Sequence, residues 1–176
     1  MNKISEAFEN KKAFIPFLTA GDPNLEVTRE LILTMQEAGA DLIEIGIPFS
    51  DPVAEGPVIQ DADMRALASG TTTDKIFDMV KSIQDQIHVP LVFMTYINPI
   101  YVYGKEKFAR KSADCGVAGV IVPDVPFEEK NEIKDIFNKE GLEVVSMIAP
   151  TSSDRVKMIA KEAEGFVYCV SSLGVT

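Results

Sequence analysis

The stretch Asp41-Leu42-Ile43-Glu44-Ile45-Gly46-Ile47-Pro48 sets one carboxylate, Glu44, inside a short apolar, β-branched run. Such a run reads as a strand buried on both faces, the pattern of a parallel sheet. Burying a carboxylate costs free energy unless it is paired, protonated or put to use. Gly46 and Pro48 close the run, so Glu44 falls near the C-terminal end of its strand, where α/β folds assemble their active sites. Between Arg29 and Arg65 there is no Lys or Arg, while Glu30, Glu37, Asp41, Glu44, Asp51, Glu55, Asp61 and Asp63 all lie in that interval. With no local cation, desolvation and neighbouring carboxylates favour the protonated form of Glu44. A proton kept near neutral pH is what a general acid needs. A structural role, with Glu44 hydrogen-bonded to backbone or to a distant Lys, fits the spacing equally well.

The elements that must position Glu44 form a repeated alternation. Apolar runs at 13–19, 41–45, 90–95, 117–122, 142–148 and 166–170 read as strands; amphipathic segments at 25–38, 59–68, 74–87, 105–114, 128–139 and 154–163 read as helices. The charged N-terminal residues suggest a short leading helix, and the segment from Tyr96 to Tyr101, with Asn98 and Pro99 in it, reads as a loop. Gly39, Gly116 and Gly141 each stand between a helix end and the next strand, the position a left-handed helix stop favours. The repeat of roughly 25 to 35 residues is that of βαβ units. Neither GxGxxG nor GxxxxGK[ST] follows the first strand, which runs into Thr19-Ala20-Gly21-Asp22-Pro23. That absence favours a (β/α)8 TIM barrel over a doubly wound nucleotide-binding sheet, although a barrel requires eight units and about 250 residues.

Composition narrows the classes further. The 176 residues are 46% hydrophobic and 25% charged, ordinary for one globular domain, and the formal net charge is −10. That balance argues against nucleic acid and anionic membrane as partners, since both need a basic face. No apolar run approaches the roughly 18 residues a membrane span needs. Cys115 and Cys169 are far apart, and with the single His88 they form no recognised metal spacing. Both are expected to be core thiols of a reduced, cytoplasmic protein. No metal is expected.

Five strings then occur in a telling order: Phe14-Ile15-Pro16-Phe17-Leu18-Thr19-Ala20-Gly21-Asp22-Pro23; Glu44 to Pro52 running on to Gly56-Pro57-Val58-Ile59-Gln60; Met94-Thr95-Tyr96-Ile97-Asn98-Pro99; Pro123-Asp124-Val125-Pro126; and Val170-Ser171-Ser172-Leu173-Gly174-Val175-Thr176. Together they resemble the tryptophan synthase alpha subunit family along the whole chain. The resemblance implies a TIM barrel and a lyase of tryptophan biosynthesis. Its reaction is the retro-aldol cleavage of indole-3-glycerol phosphate to indole and glyceraldehyde 3-phosphate, without organic cofactor or metal. It also implies a beta-subunit partner in an α2β2 heterotetramer. Glu44 matches the acid/base position, and Glu55 the second catalytic carboxylate. Phe17, Tyr96 and Tyr168 match residues lining the indole pocket, and Thr176 matches a lid-loop threonine. Asp51, Asn98, Asp124 and Pro126 fall on loops that face the beta subunit in the family.

The sequence departs from the family at Ala54-Glu55-Gly56, where the motif reads Ala-Asp-Gly. The extra methylene moves the carboxylate by roughly 1 Å, which can cost on the order of a hundredfold in rate unless the loop adjusts. A catalytically impaired subunit acting mainly as an allosteric partner of the beta subunit is therefore the alternative. About six of eight β/α units are expected in residues 1–176, as a single, C-terminally incomplete barrel domain. The phosphate-binding backbone that such barrels build late in the chain would then lie outside it.

Overall fold

The computed structural model describes residues 3–149 and 153–170. Within them, strands β1 (Phe17–Thr19), β2 (Ile43–Gly46), β3 (Leu91–Met94), β4 (Gly119–Ile121), β5 (Glu143–Val144), β6 (Ser146–Ile148) and β7 (Val167–Cys169) alternate with helices. These are α1 (Lys3–Glu6), α2 (Leu25–Glu37), α3 (Pro57–Ala68), α4 (Thr73–Ile83), α5 (Ile97–Tyr103), α6 (Lys105–Asp114), α7 (Asn131–Lys139) and α8 (Ser153–Glu162).

Every strand pairing is parallel, and β1 to β5 stand in the sheet in chain order. A doubly wound sheet would reverse direction at a switch point; a sheet that only adds the next strand to the same edge is winding into a barrel. The register lines up Phe17, Glu44, Val92, Gly119 and Glu143 in one row, with Thr19, Gly46, Met94 and Ile121 in a second row above it.

Alternation along the strands sorts the core into two bodies. Leu18, Ile43, Ile45, Leu91, Phe93, Val120 and Val144 face outward and pack under Ile32, Ile76, Phe77, Val80, Phe108, Ile133 and Phe137 from the helices. Leu42, Val92, Ile121 and Val145 face inward and meet Ile4 and Ala7 at the N-terminal segment. Both strand faces are thus buried, which is why the strands read as continuous apolar runs.

Three expectations need correction. The run 142–148 is not one strand: β5 pairs with β4, whereas β6 pairs with β7. Val145 between them still donates its N–H to the Val120 carbonyl at 2.9 Å. The segment therefore serves two neighbours in succession, as the stagger of a closing barrel demands. The expected loop at Tyr96–Tyr101 is instead mostly helix α5. Pro99 lies in its first turn, where a missing N–H leaves no intrahelical bond unmade. Finally, Cys169 is exposed on β7, and only Cys115 is a buried thiol. Alternation turns Tyr168 inward with the inner cluster and Cys169 to the opposite side.

Helix α5 carries no side-chain cap of its own. Its first N–H, on Ile97, donates to the Asp124 carboxylate at 3.0 and 3.3 Å. Asp124→Ala should therefore lower unfolding stability by about 1 kcal/mol, the usual worth of a cap, as read by urea denaturation. An unchanged midpoint would show that water replaces this bond without loss.

Candidate active site

Glu44 is 5% exposed and sits in the inward-facing row between Phe17 and Val92. Among the described residues its carboxylate has no ion pair and no hydrogen bond. Burial alone raises its pKa from 4.5 to about 7. The first cation after the basic-free interval, Arg65, is taken elsewhere: its guanidinium holds both oxygens of Asp22 at 2.8 Å. That fork draws the Asp22 carboxyl below its ordinary value. Opposite β2, Tyr168 reaches inward from β7; burial first, and then the Glu44 charge, hold its phenol above the usual range.

Phe17 lies across the end of β2. A Cβ on Gly46 would stand 2.7 Å from Phe17 Cζ and 2.9 Å from Cε2, so only glycine leaves room for the ring. The apolar wall beside Glu44 thus depends on a residue with no side chain.

The second cluster is held by the loop between β2 and α3. The Tyr96 hydroxyl donates to Glu55 Oε1 at 3.2 Å and accepts the Ala54 N–H at 3.2 Å. The Tyr96 ring packs against Phe49 with centroids 5.6 Å apart. Burial raises the Glu55 carboxyl, while the Tyr96 hydroxyl and the neighbouring Asp63 carboxyl pull it the other way. Asp63 is itself 5% exposed. Burial first, then the Glu55 charge, push it up to about 7, while the Phe49 backbone N–H pulls the other way.

No sequence motif marks Asp63 as a site residue. Its signal lay in helical spacing: Ile59, Ala62, Asp63 and Ala66 share one face of α3, and the last three are buried. Glu143 is another buried carboxylate, raised to about 6 chiefly by burial. It lies beside Gly165 and Ile4, away from the Tyr96 cluster. A cavity of about 410 Å³ opens near Glu6, Lys11, Asp41, His88 and Cys115, at the start of the strands, and includes none of the site residues. Among the described residues no group of three His, Cys, Asp or Glu side chains is arranged to hold a metal ion.

The sequence profile described as tryptophan synthase alpha chain matches residues 4–176. The chain belongs to the tryptophan synthase alpha chain family. It is 47% identical to the tryptophan synthase alpha chain of Lacticaseibacillus casei over all of its length and 66% of that protein. With the Halalkalibacterium halodurans alpha chain it shares 50% identity over all of its length and 67% of that protein. Among solved structures, the alpha subunit from Legionella pneumophila superposes with a TM-score of 0.90 at 39% identity, over 97% of this chain and 68% of that one. A structure of the α2β2 tryptophan synthase complex of Pyrococcus furiosus gives 0.86 at 40% identity, over 91% and 68%. The chain thus spans about two thirds of the length of the alpha chains it matches.

Of the positions carried over from the tryptophan synthase alpha chain family, Glu44, Phe17 and Tyr168 come together on the inner face. Glu55 and Tyr96 meet through a hydrogen bond. Asp51, Asn98 and Pro126 are exposed, and the Ser50 hydroxyl donates to Asp51 at 2.5 Å. Asp124 is partly buried and spends its carboxylate on α5. Thr176 lies outside the described residues.

Proposed function

We propose that this chain supplies the acid/base machinery of a lyase that cleaves indole-3-glycerol phosphate to indole and glyceraldehyde 3-phosphate. The observation that carries this reading is the buried, unpaired carboxyl of Glu44, which still holds its proton near pH 7. Glu44 delivers that proton to the indole carbon bearing the side chain, and positive charge develops on the ring. Glu55, supported by Tyr96 and negatively charged, stabilises that charge at the ring N–H. The Glu44 carboxylate then takes the proton of the hydroxyl on the adjacent side-chain carbon. The carbon–carbon bond breaks, its electrons return to the ring, the hydroxyl carbon becomes the aldehyde and Glu44 is reprotonated. Phe17 and Tyr168 supply the apolar walls that exclude water from the exchange.

The exposed positions Asp51, Asn98 and Pro126 are proposed to meet a beta subunit, in keeping with the α2β2 assembly named for the Pyrococcus furiosus protein. A cytoplasmic setting fits the family, and among the described residues no helix is long and apolar enough to cross a membrane. The test is indole release from indole-3-glycerol phosphate by the intact protein, with and without a tryptophan synthase beta subunit. Turnover that rises on adding the beta subunit is expected. No indole under either condition would remove the lyase reading.

A further inference from the structure

Glu55 Oε2 is buried, and no N–H or O–H group among the described residues satisfies it. Glu55 has as neighbour another buried acid, the Asp63 carboxyl of α3, which the cleavage reaction does not use. Two neighbouring carboxylates out of water cannot both ionise near neutral pH without strong repulsion. One proton between them removes the repulsion and satisfies the orphaned oxygen. Arg65, the one cation on the same helix, is bound to Asp22 and does not neutralise them. The other groups facing the pair are the Tyr96 hydroxyl on Glu55 Oε1 and the Phe49 N–H on Asp63, with Asp124 acting on Tyr96 from beyond. Glu55 accepts a phenol as well as the shared proton, whereas Asp63 accepts one backbone N–H. The better-supported carboxylate is Glu55.

We propose that Asp63 and Glu55 form a carboxylic acid–carboxylate pair in which Asp63 keeps the proton and Glu55 the charge, so that Asp63 is a positioning residue aiming Glu55 at the substrate. The pairing stands on the buried, unsatisfied oxygen of Glu55 and the buried acid next to it; its catalytic purpose rests on the lyase reading. It also gives the longer Glu55 side chain a second point of attachment beside Tyr96.

The test is a pH titration of the intact protein by NMR with 13C-labelled glutamate carboxyl carbons, assigned with Glu55→Gln and Glu44→Gln. The Glu55 signal is expected to show its own step and a second one near pH 7, when Asp63 ionises. Asp63→Asn should abolish the second step and leave the Glu44 step near pH 7 in place. A single Glu55 step in the unaltered protein, or a second step that survives Asp63→Asn, overturns the pair. In turnover, Asp63→Ala should lower kcat about tenfold with little change in KM, as losing one hydrogen bond to a charged group implies, and Asp63→Asn, which still donates, should restore most of it. Full kcat in Asp63→Ala overturns the positioning role. A two-step Glu55 titration in a protein that releases no indole would uphold the pair and reject the lyase reading.

Discussion

Glu44→Gln should lower kcat for indole release by roughly 10²- to 10⁴-fold, the range attributed to a positioned general acid or base. It should also change how stability depends on pH. In the folded protein the Glu44 carboxyl titrates near 7, against 4.5 for the ordinary value. A raised acid favours the native state fully below the ordinary value and loses that advantage as pH climbs through the folded one. Between about pH 4 and pH 8 the native protein therefore gives up stability on the order of 3 kcal/mol that the glutamine variant does not lose. Steady-state kinetics at pH 7 and urea melts at the two pH values check both halves. Retained turnover would sink the catalytic role. Parallel stability profiles would show that Glu44 finds a partner its surroundings do not reveal.

Glu55→Gln, which keeps shape and removes charge, should lower kcat by about a hundredfold, the cost of losing one group that stabilises charge in the transition state. Glu55→Asp is the more telling change. Tyr96 holds the carboxylate at glutamate length, with the Asp63 carboxyl its neighbour. Shortening it pulls the group off its supports, so the family's own residue should give no gain in rate here and a several-fold loss at most. A clear rate increase for Glu55→Asp would mean that the longer side chain is a handicap in this chain. Burst and steady-state indole formation distinguish a slower chemical step from slower release.

Glu44 was legible from sequence because its signal is local: an acid in an apolar run, no basic residue nearby, and a Gly–Pro stop after it. The inward row that joins it to Phe17 depends on strand register, which no single segment encodes. Asp63 was hidden for a different reason. Its neighbours Asp61 and Met64 are exposed, so the segment reads as a solvated acidic helix unless the period of 3.6 is followed residue by residue. Helix α5 escaped because Asn98 and Pro99 signal a turn locally, while its cap arrives from Asp124 in another loop. The break at Val145 is set by which neighbour each half of the segment meets, a property of the closing sheet and not of the residues at the break.

A sheet whose first five strands stand in the order of synthesis has a bearing on how the chain reaches this state. Each strand finds the edge it needs already made by the residues before it, so assembly can follow translation from the N-terminus. Each closure spans one or two helices, and because closure entropy grows only with the logarithm of loop length its cost is similar from step to step. Glu44 enters at the second of those steps, when β1 alone flanks it. Val92 beside Glu44 and Tyr168 across from it belong to strands made later, so only they complete the burial that raises its carboxyl.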